Sequence, residues 1–413
     1  MRKRLLYLIL ALSPTFAVSC MDRGAGDPLS VKYVQDIVAD TASLQYTRVK
    51  MAGMDGAGGS LTVFGPSSES FFMAEKLLNS DDFDNVDGGA LPDGLPDFAG
   101  ETVAVISDLA NEPYSGYILN SNEDFLREAA VRSVIDALDT AVLVSQYDRS
   151  LSERKTGAKI VVLSSSYLSA YGYYDISSLL RAARQHIKVI SPAHAMFDFA
   201  ARRHGNASNL AVWTSHEIDS AGIYPIVTSQ LSSDYPEMKC EVLCPSGDGD
   251  LQDRIISFLR MYKASGNAGE LDAAIVDDIP LRASELNSAL EGMWDDVEDS
   301  LIVYRNLLAG DFEFIDAGTA VVSACIREMR AANLFTHRIR YPQAEFYMTV
   351  PLPGIGTYGE EGFFTDPYRT NRAPSSGMDT FVLVRMKKRS MPKAVAERLE
   401  VLTPAILENY VSD

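Results

Sequence analysis

The chain has 413 residues, of which 46% are hydrophobic, and its 56 acidic residues outnumber its 37 basic residues to give a formal net charge of −19. A surface this acidic repels phosphate backbones and anionic lipid headgroups, so we expect no nucleic acid as a partner. The length and the apolar content are sufficient for two lobes, each with a large hydrophobic core.

Residues 1–19 have the three-part layout of a bacterial export signal: basic residues, the apolar run LLYLILAL and small residues before Cys20. The segment AVSC resembles the lipobox of bacterial lipoproteins, which implies that the Cys20 thiol takes a diacylglycerol, with acyl chains such as palmitate, and becomes the first mature residue. Ala17 stands where that family prefers Leu, so cleavage by ordinary signal peptidase is the alternative. We expect a lipid-anchored protein of the cell envelope, at the periplasmic face or the outer membrane, with a tether and an N-terminal helix over residues 20–59.

From residue 60, apolar runs alternate with amphipathic stretches. The runs predict strands, in chain order SLTVFG, ETVAVIS, AKIVVLSS, IKVIS, NLAVWTS, KCEVLCP, LDAAIVD and FEFIDAG. Helical patterns follow nearly every run, at residues 124–144, 174–185, 194–203, 251–262, 281–293 and 320–332. Such alternation is typical of parallel sheets covered on both faces, so we predict a doubly wound α/β fold, with helix caps at Asn122 and Asp250.

Two segments break the alternation. Residues 79–100 are rich in Asp, Gly and Pro, which predicts a loop. Beyond residue 340, AEFYMTV and DTFVLVRMKK predict strands around an irregular segment, and PKAVAERLEVLTPAILENY predicts a last helix. We therefore expect a first α/β lobe over residues 60–209, a second over 210–340, and an antiparallel β extension with a C-terminal helix over 341–413.

The motifs for metals and cofactors are weak. Cys240 and Cys244 lie four strand steps apart, roughly 13 Å, which exceeds disulfide reach, so they and Cys325 are predicted to be free thiols. The segment GIGTYG has dinucleotide-binding spacing, but no helix pattern follows it. The histidines form no ligand pair and the acidic clusters lack the spacing of an EF-hand loop. We predict neither a cofactor nor a metal.

The segments ISPAHAMFD and LAVWTSHEIDSAGIY resemble the region of aspartate and glutamate racemases in which a cysteine near an Asn-Thr-Ala-His run precedes a Thr- and Ser-rich loop. That resemblance implies two thiols on opposite sides of a substrate α-carbon, one acting as base and one as acid. Ser191 occupies the approximate place of the first thiol, and the later strand end IVDDIPL contains no cysteine. We therefore expect shared doubly wound geometry rather than racemase activity.

Over roughly residues 60–335, the order and spacing of elements resemble type I periplasmic binding proteins, the class of the basic membrane lipoproteins and sugar-binding receptors. NLAVWTSHEIDSAGIYPIVTSQL lies where such proteins begin their second lobe, and LDAAIVDDIPLRASELNSAL resembles the later strand and helix that carry an acidic ligand contact. The resemblance implies capture of a small polar ligand in a cleft between the lobes and its transfer to a membrane transporter or sensor. Residues 79–100 and the tail depart from the family pattern.

Open α/β sheets bind ligands at the carboxyl ends of their strands. Hydroxyls, carboxylates and aromatic rings at those ends suit a sugar or a nucleoside, and the candidate contacts are Asp108, Tyr114, Ser164, Ser165, Ser191, Trp213, Thr214, Asp277, Asp278 and Asp316. The alternative for each residue is that it caps a helix. Because a buried strand ends in Asp277 and Asp278, we expect one of them to face the cleft and the other to cap the helix near Leu281.

Two further functions stay open beside ligand binding without catalysis, which is the leading expectation. The first is an envelope hydrolase or transferase on the same fold, which would use the strand-end carboxylates and could hold a metal. The second is a structural envelope lipoprotein without a ligand. A cleft with hinge strands favours the binding protein, carboxylates clustered around a shared point favour the enzyme, and a filled cleft favours the structural protein.

Overall fold

The computed structural model describes residues 29–83, 91–266, 269–279, 281–295, 301–338, 340–359, 361–374, 379–387, 389 and 391–410. The strands in these ranges are β1 Ser60–Gly65, β2 Thr102–Ser107, β3 Ala141–Ser145, β4 Asp148–Arg154, β5 Ala158–Leu163, β6 Lys188–Ile190, β7 Asn209–Thr214, β8 Lys239–Leu243, β9 Leu271–Asp277, β10 Leu308–Asp316, β11 Gln343–Pro351 and β12 Phe381–Arg385. The helices are α1 Lys32–Ala39, α2 Leu44–Met51, α3 Ser67–Asn79, α4 Ser115–Leu119, α5 Glu123–Leu138, α6 Ser166–Tyr171, α7 Tyr173–Ala182, α8 Pro192–His204, α9 His216–Ser220, α10 Ile223–Leu231, α11 Leu251–Ala264, α12 Ala283–Asp295, α13 Ile302–Arg305, α14 Ala317–Ala331, α15 Asp366–Thr370, α16 Lys393–Leu402 and α17 Pro404–Tyr410.

The strands form two sheets. The first has eight strands in the order β4-β3-β12-β11-β2-β1-β5-β6, and the second has four in the order β10-β9-β7-β8. All pairings from β11 to β6 and throughout the second sheet are parallel, whereas β12 runs antiparallel to β11 and β4 antiparallel to β3. The fold is therefore mixed α/β with parallel sheets and helices, as the alternation of patterns predicts.

Burial explains why the central strands read as continuous apolar runs. Every residue of β1, β5 and β7 is buried, because neighbouring strands and covering helices enclose both faces of the sheets. In the first sheet, Val63 lies opposite Val105 of β2 and opposite Val162 of β5. These β-branched side chains pack well on a pleated surface, which favours strands at these positions.

One hydrophobic core joins the two sheets. We call it the shared core: it contains β1, β2 and β5 side chains together with Leu210 and Val212 of β7, Ala273 and Ile275 of β9 and Ile315 of β10. The opposite face of the second sheet packs against α11 and α12 in a separate outer core. Side chains alternate between the two cores along β7, as the strand period of two requires.

The outer core contains Trp213, which is 1% exposed. Its ring stacks on Phe258 with 5.2 Å between centroids and meets Phe314 edge-on at 6.1 Å. Trp213 of β7 therefore packs in the outer core, on the face of the second sheet that α11 and α12 cover. The prediction that a ligand stacks on this ring is corrected, because protein side chains enclose the ring.

The structure differs from the predicted elements in the middle of the chain. The helical pattern at residues 124–144 ends as a helix at Leu138, after which β3 and β4 form a hairpin. The Asp139 side chain accepts hydrogen bonds from the backbone N–H groups of Thr140 and Ala141, which turns the chain out of the helix. The apolar residues that follow belong to a strand.

The tail enters the first sheet. Strand β11 pairs parallel to β2 in the interior of that sheet, and β12 pairs antiparallel to β11. The predicted last helix is divided into α16 and α17 at Thr403, because Pro404 lacks the N–H that would continue the helix.

Local predictions have mixed outcomes. Asp250 forms a capping box with Asp253, which confirms the predicted cap of α11. Asn122 instead donates its side-chain amide to the carbonyls of Thr370 and Arg372 at 2.8 and 2.9 Å, so it fastens the tail rather than capping α5. The predicted free thiols Cys240, Cys244 and Cys325 are confirmed.

The N-terminal region is only partly described. Cys20 and the signal lie outside the described residues. Where the sequence predicts a tether and one helix, the structure has α1 and α2, and Val34 and Ile37 of α1 lie in the shared core. Among the helices of the described ranges, none is both long and apolar enough to cross a membrane.

Candidate active site between the two sheets

A cavity of about 360 Å³ lies where the carboxyl ends of strands from both sheets meet. Chain segments after β1, β5 and β7 and at the ends of β9 and β10 supply its walls. Its polar lining consists of Ser68, Glu69, Ser164, Ser166, Tyr167, Ser215, Glu217, Asp277, Asp278, Asp316 and Arg398. The crevice expected at the strand ends therefore exists, and carboxyl groups cluster in it.

Glu69 lies in the first turn of α3, directly after β1. Part of the residue is exposed, but its Oε2 atom is buried and has no hydrogen-bond partner among the described residues. Burial raises the pKa of Glu69 to about 8, the Ser165 hydroxyl opposes this rise, and the charges of Asp277, Glu112 and Glu217 add to it. Glu69 therefore holds its proton at neutral pH, although the first turn of a helix favours an ionised carboxylate.

Asp277 approaches the same cavity from the end of β9 in the second sheet. Its Oδ2 atom is buried, and the described residues supply no hydrogen bond of ordinary geometry to it, although the hydroxyls of Ser166 and Tyr224 face the carboxyl group. Burial raises the pKa of Asp277, the two hydroxyls oppose the rise, and the charge of Asp278 adds to it. Glu69 and Asp277 thus line the same cavity, and each has one buried carboxyl oxygen without a hydrogen bond of ordinary geometry from the described residues.

A neighbouring cavity of about 330 Å³ shares Ser68, Glu69, Tyr167, Glu217 and Arg398 with the first. The Tyr167 hydroxyl donates to Glu217 at 3.1 Å, and Arg398 donates to the Ser68 hydroxyl at 3.3 Å. Arg398 belongs to α16, which packs on α3, so α16 forms part of the rim of both cavities. Glu69 stands at their junction.

The lining of the cavity is rich in carboxyl groups. Glu69, Glu217, Asp277, Asp278 and Asp316 line it with one arginine, Arg398, but Glu69 is neutral at pH 7, Asp278 pairs with Arg254 at 2.7 Å and Lys76 lies 3.9 Å from Asp316. Such a lining offers hydrogen bonds to molecules that bear hydroxyl or amine groups. In the described ranges, no group of three or more His, Cys, Asp or Glu side chains has an arrangement that could hold a metal ion.

The predicted contacts fall into three groups. Ser164, Asp277, Asp278 and Asp316 line the cavity, and Tyr114 lines the neighbouring one. Ser165, Ser191 and Thr214 are buried behind the wall. Ser165 caps α6 and also faces Glu69, and the Ser191 hydroxyl lies 2.7 Å from His194 Nδ1. The Thr214 hydroxyl donates a hydrogen bond to the Asp277 carbonyl at 3.3 Å. Asp108 and Trp213 are structural residues.

Asp108 is fully engaged in the fold. Its carboxylate accepts hydrogen bonds from Asn111 at 2.7 Å and from Tyr114 and Thr349 at 2.8 Å. The residue is 1% exposed and does not line the cavity between the sheets. The expected ligand contact at Asp108 is therefore corrected, because three protein donors occupy its oxygens.

The expected division of labour between Asp277 and Asp278 is also corrected. Both residues line the cavity, and the side chain of Asp278 pairs with Arg254. The carboxylate at the start of α12 is that of Asp316, which accepts from the Ala283 N–H at 2.8 Å and also caps α14 through the Thr319 N–H at 2.7 Å. One side chain thus serves two helix starts.

Sequence reasoning missed Glu69, Glu217 and Arg398. An acidic residue in a first turn is ordinary for a helix, so the sequence FGPSSES does not distinguish Glu69 from a surface residue. Arg398 reaches the site from the last part of the chain, and nothing local indicates that contact. The one available signal was the position of PSSE immediately after a predicted buried strand.

No family model matches the chain, and no protein of curated function matches it. Among solved structures, glutamate racemase from Francisella tularensis is similar over 71% of this chain and 88% of its own, with 12% identity and a TM-score of 0.42. Allantoin racemase from Pseudomonas fluorescens is similar over 68% and 94%, with 12% identity and a TM-score of 0.36. An arylmalonate decarboxylase covers 55% of this chain and 91% of its own, with 15% identity and a TM-score of 0.30. These values describe a general arrangement of strands and helices and assign no activity.

The leading expectation from sequence, a solute-binding protein that captures a ligand between two hinged lobes, is corrected by the packing. That packing differs from a pair of lobes that close on a ligand by hinge motion. The shared core runs through both sheets, and contacts such as Arg282 to Glu75 at 2.9 Å and Tyr167 to Glu217 cross the cleft.

Proposed function

We propose that this chain is a hydrolase or transferase that acts on a small polar substrate, with Glu69 as the proton donor and Asp277 as the second carboxyl group. The observation that supports it is that Glu69 and Asp277 line one cavity and that each has one buried carboxyl oxygen, Oε2 and Oδ2, without a hydrogen-bond partner among the described residues. Buried polar atoms without partners are rare in folded proteins and cluster at functional sites.

The proposed chemistry follows from the proton of Glu69. A carboxyl group whose pKa is about 8 remains protonated at neutral pH and can give its proton to a leaving oxygen or nitrogen. While Glu69 is neutral it does not oppose ionisation of Asp277, so the pair can hold one proton between them. Asp277 then acts as the base that activates a water molecule or an acceptor hydroxyl, which is the division of roles found in carboxyl pairs that cleave glycosidic bonds.

The lining indicates the kind of substrate. Hydroxyls of Ser68, Ser164, Ser166 and Tyr167 alternate with carboxyl groups around the cavity. These groups suit hydrogen bonds with hydroxyls or amines. A thiol mechanism has no support in this cavity, because Cys240, Cys244 and Cys325 are not among its lining residues. We therefore propose a neutral or cationic hydroxylated compound with a bond from carbon to oxygen or nitrogen that is cleaved.

The test is a search for turnover in labelled water. The protein is incubated with a mixture of small oligosaccharides, nucleosides and amino sugars in water enriched in ¹⁸O, and products are followed by mass spectrometry. Hydrolysis places ¹⁸O in one product, and transfer gives a new conjugate without it. We expect E69Q and D277N each to lower the rate by about 10²-fold to 10⁴-fold, the usual contribution of one acid or base.

The matched control is E285Q, which removes an exposed carboxylate of α12 outside the cavity. It should react at the rate of the unsubstituted protein. Equal rates for E69Q, D277N and E285Q would contradict the assignment. Deuterium incorporation at carbon in D₂O, without bond cleavage, would also contradict it and would indicate an isomerase.

We also propose that the protein is held at the cell envelope through lipid on Cys20. The support is the sequence alone, namely the basic, apolar and small-residue layout before AVSC. A diacylated cysteine would anchor the enzyme at a membrane surface.

A further inference from the structure

A second cavity, of about 660 Å³, lies at the opposite edge of the first sheet. It is bordered by the segments that precede β2 and β11, which are parallel neighbours, and by the C-terminal half of α14. Six residues of β2, at about 3.3 Å each, separate this edge from the carboxyl ends by roughly 20 Å. The second cavity is therefore distinct from the proposed active site.

The walls of the second cavity are largely apolar and aromatic. Ile326 of α14 is buried at its base, and Phe83 and Phe335 are half-buried. Leu95 and Tyr341 are 51% and 74% exposed. A volume of this size falls within the range of about 300–1,000 Å³ that is usual for small-molecule sites.

The charge of the second cavity opposes that of the whole chain. Arg330, Arg338 and Arg340 line it in a protein whose net charge is −19. Asp97 is the acidic residue of the lining, and its two oxygens accept the backbone N–H groups of Asp82 and Phe83 at 3.0 Å. Within the described residues, no carboxylate lies within 4.0 Å of the side-chain nitrogens of Arg338 or Arg340.

Arginine and aromatic groups are combined in this wall. The Arg330 guanidinium lies 5.6 Å from the centroid of the Phe83 ring. A planar guanidinium can hydrogen-bond a carboxylate, sulfonate or phosphate in its plane, while neighbouring rings stack on a flat apolar group. Arginines at a surface attract anions weakly by themselves, but an adjoining apolar wall adds the burial of nonpolar surface.

We propose that this cavity binds a small anion that carries an aromatic or other flat apolar group. Arg338 and Arg340 contact the anionic group, and Phe83, Phe335 and Ile326 enclose the apolar part. The inference goes beyond the proposed enzymatic function and does not depend on Glu69 or Asp277.

The probe is 8-anilinonaphthalene-1-sulfonate, a fluorescent aromatic sulfonate, titrated into the full-length protein. Its neutral partner is N-phenyl-1-naphthylamine, which has the same ring system without the sulfonate. We expect one strong site for the sulfonate and at least tenfold weaker binding of the neutral compound. The double variant R338Q/R340Q should weaken sulfonate binding at least tenfold, because both residues are exposed and their removal leaves the core unchanged.

The matched control is R260Q/R305Q, which removes two exposed arginines near the second sheet and changes the net charge equally. It should bind the sulfonate as the unsubstituted protein does. If R338Q/R340Q fails to fold by circular dichroism, the single variant R340E supplies the same test by reversing one charge. Three results would overturn the proposal. The folded arginine variant could bind the sulfonate with unchanged affinity, or the protein could bind the neutral compound as tightly as the sulfonate. The third result is the absence of saturable sulfonate binding below 1 mM, which corresponds to a binding free energy of about 4 kcal/mol.

Discussion

The substitution Glu69→Gln tests the buried proton on which the proposed chemistry depends. Glutamine has nearly the shape of a protonated glutamate but cannot ionise. Burial raises the pKa of Glu69 from 4.5 to about 8, so the folded protein keeps a proton that the unfolded chain releases between these values. The native state therefore binds more protons in this window, and Glu69 makes the free energy of unfolding fall as pH rises through it. The E69Q variant lacks that contribution.

The size of the effect follows from the shift. Each pKa unit corresponds to about 1.4 kcal/mol, so a fully enclosed carboxyl group would lower the free energy of unfolding by about 4 kcal/mol between pH 5 and pH 8. Part of Glu69 is exposed, and solvent reduces this value. We expect the free energy of unfolding of the unsubstituted protein to fall by about 2 kcal/mol more than that of E69Q between pH 5 and pH 8.

The assay is urea unfolding at pH 5, 6, 7 and 8 for the unsubstituted protein, E69Q and the exposed control E285Q. Groups other than Glu69 titrate in all three proteins, so the difference between curves isolates the substituted residue. The difference in free energy of unfolding between the unsubstituted protein and E69Q should change steadily with pH. The difference between the unsubstituted protein and E285Q should stay constant. A constant gap for E69Q would refute the buried proton and with it the role of Glu69 as an acid at neutral pH.

Three further predictions concern other parts of the chain. Burial lowers the pKa of His194 from 6.5 to about 4, so as pH falls below 6.5 the unfolded chain binds a proton that the folded protein does not. The free energy of unfolding of the unsubstituted protein should therefore fall by about 2 kcal/mol more than that of H194Q between pH 7 and pH 4.5. Urea unfolding of both proteins at these pH values measures the difference. Replacing the enclosed Trp213 with alanine should lower the free energy of unfolding by about 3–5 kcal/mol, and W213F should lower it much less; equal stability of W213A would contradict the outer-core position. Replacing Cys20 with serine should abolish labelling by radioactive palmitate and release the protein from membranes, and surviving label would exclude lipid on that residue.

The sequence predicts the buried strands well because a strand that is buried on both faces consists of consecutive apolar residues. SLTVFG and LDAAIVD correspond residue for residue to β1 and β9, since strands covered on both faces require continuous apolar runs. The prediction fails at residues 141–144, where apolar residues follow an amphipathic helix without a break in pattern. There the helix ends through hydrogen bonds of the Asp139 side chain, and a single aspartate is too weak a signal to mark the boundary.

Glu69 shows why a functional residue can be missed when only the sequence is considered. Glu69 follows the first strand, where an exposed acidic residue would be favoured by the helix dipole. What distinguishes it is its place in one cavity with Asp277 of the second sheet and Arg398 of α16, residues more than half of the chain away. Such contacts depend on the order of strands in the sheets, which no local pattern contains.

The same order of strands decides which strand-end residues remain available for chemistry. At the end of β2, the tail places Thr349 of β11 beside Asp108, and Arg372 joins the network through Asn111 at 2.6 Å, so this carboxylate is used by the fold. At the ends of β1 and β9, the tail borders the main cavity through α16, and Glu69 Oε2 and Asp277 Oδ2 have no hydrogen-bond partner among the described residues. Aspartates with the same position in the sequence pattern thus have opposite roles. The difference arises because the tail pairs with β2 and leaves the junction of the two sheets open.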